Sequence, residues 1–190
     1  MDSGYQRNLV KNPCGNDQFN HWEIIKNGGS MWRVEEMPGD CGHDFPDSSV
    51  LTYFVTSFDI CLKEQTIDLV SEGYTEEILD SVQPKIEVQD WFSGRKDCGC
   101  NYELHVSLLN GNLEPVNEFK AEPVNLDPDN SDCSWRKVSH AFEDYGTWSA
   151  FCFVYNMEAK TLNSGWMVWC PGDKHFSSGA FLIPSSCCTI

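Results

Sequence analysis

Ten cysteines are the side chains of this sequence best suited to bind a metal or form a disulfide framework. A structural zinc site normally takes two closely spaced cysteine pairs, whereas this chain offers a single C-x-C at Cys98 and Cys100. The spacing therefore predicts no metal site and no cofactor. The polar first residues lack the apolar core of a secretory signal. We expect a cytoplasmic protein whose thiols stay reduced.

Two further thiols form a motif at the C-terminus. The last four residues, Cys187-Cys188-Thr189-Ile190, fit the C-a-a-X pattern of prenylated proteins. A lipid on Cys188 would supply the second anchor that stable membrane attachment needs. The alternative is a plain tail with two thiols, because Thr189 is polar and no basic run precedes it. Cys187 is thus a candidate lipidation site.

The histidines and carboxylates form no recognisable catalytic constellation. The five histidines are scattered, and the sequence contains no G-x-S-x-G, H-E-x-x-H, P-loop or G-x-G-x-x-G. Glu35 and Glu36 are adjacent in a strand-like segment and would point to opposite faces. We therefore predict no catalytic residues and a protein that is not an enzyme. A glycosidase stays open as an alternative, because its two carboxyl groups can come from distant parts of a chain.

The charge balance excludes two classes of partner. Thirteen basic residues face 29 acidic ones, for a formal charge of −16. Binding to a nucleic-acid backbone or to an anionic membrane surface needs clustered lysine and arginine, so we expect neither. No run approaches the 18 or so apolar residues of a transmembrane segment. A chain of 190 residues is the size of one domain with its own core.

Strand-like alternation dominates the pattern of the sequence. Apolar residues recur at every second position over 86–88, 102–108 and 138–142, which is typical of half-buried strands. Segments 53–55 and 151–155 are apolar on both faces and should lie in the middle of sheets. Asn110 and Gly111 follow a strand and favour a hairpin. The one helix we expect is short, begins at a Thr75 cap and ends before Pro84.

This pattern predicts an all-β fold, a jelly-roll-like sandwich of two antiparallel sheets with one short helix. Aromatic side chains on the loops at one end of such a sandwich can bind sugars or peptides. Seven tryptophans are available for such a role, and Trp166 and Trp169 follow the turn at 163–165. For most tryptophans we expect a place in the core instead.

A series of short motifs follows one another along most of the chain. They are Arg7-Asn-Leu-Val-Lys-Asn-Pro-Cys-Gly15, Asn27-Gly-Gly29, Trp32-Arg-Val-Glu-Glu36, Tyr53-Phe-Val-Thr-Ser-Phe58, Ile67-Asp-Leu69, Glu72-Gly-Tyr-Thr-Glu-Glu-Ile-Leu-Asp80, Asp90-Trp-Phe-Ser-Gly-Arg95, Tyr102-Glu-Leu104 and Trp135-Arg-Lys-Val-Ser-His140. Their order resembles the F-box-associated domain, and most closely its sugar-recognising branch. The resemblance covers residues 7–183, which leaves terminal tails at 1–6 and 184–190. It implies the β-sandwich that the alternation also predicts.

The resemblance also implies a function. Domains of this family select substrates for a cullin-RING ubiquitin ligase, and some bind the chitobiose core of high-mannose N-glycans on misfolded glycoproteins destined for ER-associated degradation. Ligase components are engaged through an F-box, which we expect to be absent from this chain. The implied partners are therefore N-glycosylated proteins, with ligase components only where an F-box is present elsewhere.

The implied glycan site is only partly retained. Phe58 matches the phenylalanine that sugar-binding members use. Their Tyr-Trp-Lys run is replaced here by Leu162, Asn163 and Ser164, followed by Trp166. Phe58, Leu162, Asn163, Ser164 and Trp166 are the candidate glycan-binding residues. The alternative is a domain of the same fold that binds a protein partner without a glycan.

Overall fold

The computed structural model describes residues 8–38, 45–94, 99–127, 134–146, 152–161, 167–169 and 180–184, with side chains as far as Gly146. Almost all regular structure in these ranges is β-strand, as the alternation predicts. The strands are β1 (Glu23–Asn27), β2 (Arg33–Glu36), β3 (Thr52–Thr56), β4 (Cys61–Asp68), β5 (Lys85–Ser93), β6 (Cys100–Leu109), β7 (Pro115–Lys120), β8 (Val124–Leu126), β9 (Arg136–Phe142), β10 (Cys152–Thr161), β11 (Met167–Trp169) and β12 (Ala180–Pro184).

The strands form two sheets. Sheet 1 has the order β1-β4-β10-β6-β7, with β8 also paired to β6, and sheet 2 has the order β12-β5-β11-β3-β2, with β9 also paired to β5. The predicted all-β sandwich is therefore confirmed. One pair departs from the antiparallel expectation, because β12 runs parallel to β5 from Lys85 to Gln89. Of the residues of β5, the short β11 pairs only with Phe92 and Ser93, so β12 satisfies backbone groups on the rest of that β5 edge.

The buried faces follow the alternation of the sequence. Every second residue of β4, from Cys61 to Ile67, is buried while the intervening ones reach the surface. Tyr53, Phe54 and Val55 of β3 are fully buried, as expected for a strand that is apolar on both faces. The register places β3 between β2 and β11, and β10 between β4 and β6, so both predicted central strands are confirmed.

The predicted helix and hairpin both occur. The Thr75 hydroxyl accepts a hydrogen bond from the N–H of Ile78 at 3.3 Å. The segment Ile78–Val82 then forms a π-helical turn, in which the N–H of Gln83 reaches the carbonyl of Ile78. The predicted helix is thus a single turn of five residues, and the turn is wider than that of an α-helix. Asn110 closes the β6–β7 hairpin, since its N–H donates to the carbonyl of Glu114 at 2.9 Å. None of the helices among the described residues has the length and apolarity needed to cross a bilayer.

A lysine lies inside the core. Lys63 is fully buried on the inward face of β4. Its ammonium nitrogen is 3.4 Å from the centre of the Phe54 ring, 3.5 Å from that of Trp22 and 5.5 Å from that of Trp32. The negative faces of aromatic rings attract a cation, and more strongly where water is excluded. Lys63 therefore joins sheet 1 to β3 of sheet 2 and to the N-terminal segment that carries Trp22.

Two polar contacts add to this connection. The amide of Gln65 bonds the backbone of Lys11 in both directions, at 2.7 and 3.0 Å, and so fixes the N-terminal segment on β4. Between the sheets, the buried Tyr102 hydroxyl donates to the buried Asp90 carboxylate at 2.8 Å. The Tyr102 ring also stacks on Phe92, with 4.1 Å between centroids. These contacts fix how the two sheets face each other.

Replacing Lys63 with alanine should destabilise the fold strongly. The variant loses the cation–π contacts and leaves a cavity, and we expect the free energy of unfolding to fall by about 3 kcal/mol. Urea denaturation followed by circular dichroism measures the change. Lys120→Ala, at an exposed position of β7, is the control and should stay within about 0.5 kcal/mol of the wild type. Equal urea midpoints for both variants would contradict a stabilising role of the buried Lys63.

The buried thiols should resist alkylation in the native protein. Burial raises the pKa of Cys14 to about 12 and also raises the pKa of Cys61. Since the thiolate is the nucleophile, both should remain unmodified by iodoacetamide at pH 8 and become modified in denaturant. Peptide mass spectrometry distinguishes the individual cysteines. Modification of native Cys14 at a rate close to its denatured rate would contradict this burial.

Candidate functional site

Several strand ends meet at one end of the sandwich. Residues 28–32 connect β1 to β2, and residues 57–60 connect β3 to β4. β10 ends at Thr161, paired with Cys100, and β11 begins at Met167, paired with Thr56. The strand ends that flank residues 162–166 therefore lie at the same end as the loop that carries Phe58. We call this region the loop end.

Hydrogen bonds hold the two described loops together. The N–H of Gly28 donates to the carbonyl of Ile60 at 3.0 Å, and the N–H of Ser30 donates to the Ser57 hydroxyl at 2.7 Å. Within the first loop, the N–H of Trp32 donates to the side-chain oxygen of Asn27 at 2.6 Å. The loops are thus a single hydrogen-bonded unit, which rests on the buried Ser57 and Trp32.

Phe58 is the exposed aromatic residue of this unit. Its side chain is 52% exposed, whereas the other Phe, Tyr and Trp side chains of the described part of the chain are buried or half-buried. Met31, in the neighbouring loop, is 55% exposed. An exposed ring at the end of a rigid sandwich can stack on the apolar face of a sugar or contact an apolar side chain of a protein.

Polar groups accompany the ring. Asp59 follows Phe58 and is exposed, and one of its carboxylate oxygens accepts the N–H of Ile60 at 2.7 Å. Each carboxylate oxygen has further lone pairs, so Asp59 can also accept hydrogen bonds from ligand hydroxyls. The described part of the loop end thus offers a stacking ring and a carboxylate acceptor, a combination suited to binding.

The other candidate residues of the sequence lie outside the described ranges. Leu162, Asn163, Ser164 and Trp166 belong to the connection between β10 and β11, and Cys187 belongs to the C-terminal tail. Their roles therefore stay predictions. The sequence pattern identifies Gly28 and Gly29 only as turn residues and does not predict their contact with residues 57–60. The signal available is the pair of glycines next to a strand end, which often marks close approach of two backbones.

A hollow of about 590 Å³ lies elsewhere, on the outer face of sheet 1. Its lining is charged and includes Glu64, Glu103, His105 and Lys120. The described histidines in strands have structural partners: His105 lies 3.1 Å from the Glu118 carboxylate, and His140 stacks on Phe119. Burial lowers the pKa of His140. Among the residues with described positions, no group of three or more His, Cys, Asp or Glu could hold a metal ion.

The fold has a solved counterpart. TmCBM61, determined in complex with beta-1,4-galactotriose, superposes with a TM-score of 0.55 over 86% of this chain and 94% of that one. The two sequences are 14% identical. At this level of identity the likeness concerns the fold alone, and it agrees with the two-sheet sandwich described above.

Sequence relatives are closer. F-box only protein 2 from Bos taurus is 50% identical over 142 residues, which are 74% of this chain and 48% of that protein. F-box only protein 6 from Rattus norvegicus is 48% identical over 140 residues, 74% of this chain and 49% of its own length. F-box only protein 17 from Homo sapiens is 40% identical over 144 residues, 75% and 49% of the respective chains.

The chain thus spans about half the length of these curated relatives. The family described as the F-box associated region matches residues 1–161, from the N-terminus to the last residue of β10. That match includes both described loops of the loop end and the ring of Phe58. The chain therefore belongs to the F-box-associated family.

Proposed function

We propose that this domain is a non-enzymatic substrate-recognition module that binds N-glycans, through their chitobiose core, on misfolded glycoproteins. The observation that carries the proposal is the exposed ring of Phe58 at the loop end, within a sandwich whose other described aromatic rings are buried or half-buried. A sugar ring presents an apolar face of C–H groups edged by hydroxyls. Phe58 would take the apolar face, and Asp59 would accept hydrogen bonds from the hydroxyls.

The second half of the proposed site consists of Leu162, Asn163, Ser164 and Trp166. Asn163 and Ser164 would bond further hydroxyls, and Trp166 would supply a second ring. Because leucine, asparagine and serine stand in place of a stacking aromatic run and its lysine, we expect weak binding. Losing one stack and its hydrogen bonds costs on the order of 2 to 3 kcal/mol, about a hundredfold in affinity.

The setting of this activity is also a proposal. The curated relatives are F-box only proteins, and the part of each that matches this chain is about half of its length. We infer that the domain, at residues 7–183, delivers glycoproteins to a ubiquitin ligase for ER-associated degradation from the cytoplasmic side. Ligase components would bind through an F-box outside this domain. Prenylation of Cys187 would hold the domain near a membrane.

A second candidate function is recognition of a protein surface without a glycan. The exposure of Met31 in the loop next to Phe58 favours it, because methionine adapts to varied apolar partners. The replacement at residues 162–164 favours it as well. The two functions differ in one measurable property, since enzymatic removal of glycans from the partner would abolish capture only in the first.

Replacing Phe58 with alanine should lower the affinity for chitobiose about tenfold, because one stacked ring is lost. Titration followed by amide NMR shifts suits the millimolar range. Leu113→Ala, at an exposed residue 65% accessible in the β6–β7 turn at the opposite end, is the control and should bind as the wild type does. Both variants should unfold within about 1 kcal/mol of the wild type.

Absence of any shift in the wild-type protein at tens of millimolar chitobiose would refute the glycan proposal. Capture of a partner that persists after deglycosylation, and that is lost in Phe58→Ala, would instead support the second candidate.

A further inference from the structure

The backbone of the Gly28–Gly29 turn lies against the loop that carries Phe58. A Cβ atom built on Gly29 would stand 3.2 Å from Cε1 of the Phe58 ring and 2.6 Å from the Ser57 hydroxyl oxygen. A Cβ on Gly28 would stand 2.8 Å from the carbonyl oxygen of Ile60. Real Cβ atoms do not approach other atoms to less than 3.0 Å, and a contact of 3.2 Å requires the neighbouring atom to shift slightly. The two loops can touch in this way only because residues 28 and 29 have no side chain.

The groups around this contact are fixed from both sides. The Ser57 hydroxyl is buried and accepts the N–H of Ser30 at 2.7 Å, so it cannot turn away from a new Cβ without losing that bond. Gly29 adopts a φ of +60°, in the left-handed region that favours glycine. A Cβ at residue 29 would therefore crowd the Ser57 hydroxyl most and the Phe58 ring as well. Of these two groups, only the exposed ring can move without breaking a described hydrogen bond.

We propose that Gly29 is a positioning residue, whose bare backbone supports the Phe58 ring in the orientation that presents it to a ligand. This inference rests on the proposed function for its ligand, but the support itself is a property of the free protein. A ring held in place before binding loses less freedom when a ligand stacks on it, which increases affinity. A displaced ring would leave the stacking position even though Phe58 is still present.

The chain offers a matched control for the backbone effect. Gly73 also has a left-handed conformation, with a φ of +96°, and a Cβ built there would meet no atom within 4 Å. Gly73→Ala therefore introduces left-handed strain without a steric contact. Gly29→Ala introduces similar backbone strain together with steric crowding of Phe58 and Ser57. The difference between the two variants isolates the contact.

The first measurement is chitobiose titration by NMR. We expect Gly29→Ala to bind about tenfold more weakly, close to the loss for Phe58→Ala, and Gly73→Ala to bind as the wild type does. In a Phe58→Leu background, Gly29→Ala should cause little further loss, because the ring that it displaces is gone. Full additivity of the two losses would overturn the proposal.

The second measurement needs no ligand. The ring signals of Phe58, assigned from their absence in Phe58→Leu, should move in Gly29→Ala and change their exposure to a dissolved paramagnetic probe. They should stay in place in Gly73→Ala. Unmoved ring signals in a folded Gly29→Ala would overturn the proposal. Should wild-type protein bind no chitobiose, the glycan function fails while these signals still decide the role of Gly29.

A further variant avoids added atoms. Ser57→Ala removes the acceptor that holds Ser30 and therefore loosens the turn against Phe58 without crowding it. We expect it to weaken chitobiose binding about threefold and to shift the ring signals in the same sense. If Gly29→Ala does not fold, the result for Ser57→Ala decides: unchanged binding and unchanged ring signals would overturn the proposal.

Discussion

The buried ammonium of Lys63 is the contact on which the arrangement of this domain depends. A cation taken out of water is costly, and here the faces of Phe54 and Trp22 compensate it at 3.4 and 3.5 Å. Because Lys63 belongs to sheet 1, Phe54 to sheet 2 and Trp22 to the N-terminal segment, one charge fixes three parts of the chain at once. A leucine at this position would bury more favourably but would leave their mutual orientation less specified.

The position of the loop end follows from the same cluster. Phe54 lies four residues before Phe58, and Trp32 packs edge-on against Phe54 with 6.4 Å between ring centroids. Trp32 in turn ends the loop that contains Gly28 and Gly29. The rings of Phe54, Trp22 and Trp32 around Lys63 form an aromatic cage. The loop at 57–60 begins just after Phe54, and the loop at 28–32 ends at Trp32, so both loops are anchored on this cage. The exposed ring thus belongs to a hydrogen-bonded unit, and the proposed ligand would meet a surface that is largely formed before binding.

The sequence predicts those features that depend on local pattern. Alternation at 102–108 and 138–142 identifies β6 and β9, and Asn110 identifies the hairpin, because side-chain period and turn geometry are properties of neighbouring residues. Lys63 breaks the apolar pattern of β4, and its burial depends on rings 9 to 41 positions away along the chain. The contact of Gly29 with Phe58 joins two loops separated by β2 and β3, so no local sequence pattern predicts it. Residues 162–164 differ from the family pattern in the sequence itself, so the expectation of weak glycan binding comes from the sequence and not from the fold.

The boundary of the family match separates the two halves of the proposed site. The match ends at residue 161, where β10 ends, and it includes the cage, the glycine turn and Phe58. The candidate contacts at residues 162–166 begin directly beyond it. A stacking ring by itself discriminates poorly between ligands, since every sugar and many side chains have an apolar face. In the proposed site, selectivity would come from hydrogen bonds, of which Asp59 offers one acceptor and Asn163 and Ser164 would supply others. The half within the family match supplies the exposed ring of Phe58, and we expect the half beyond it to decide whether a glycan or a protein surface binds there.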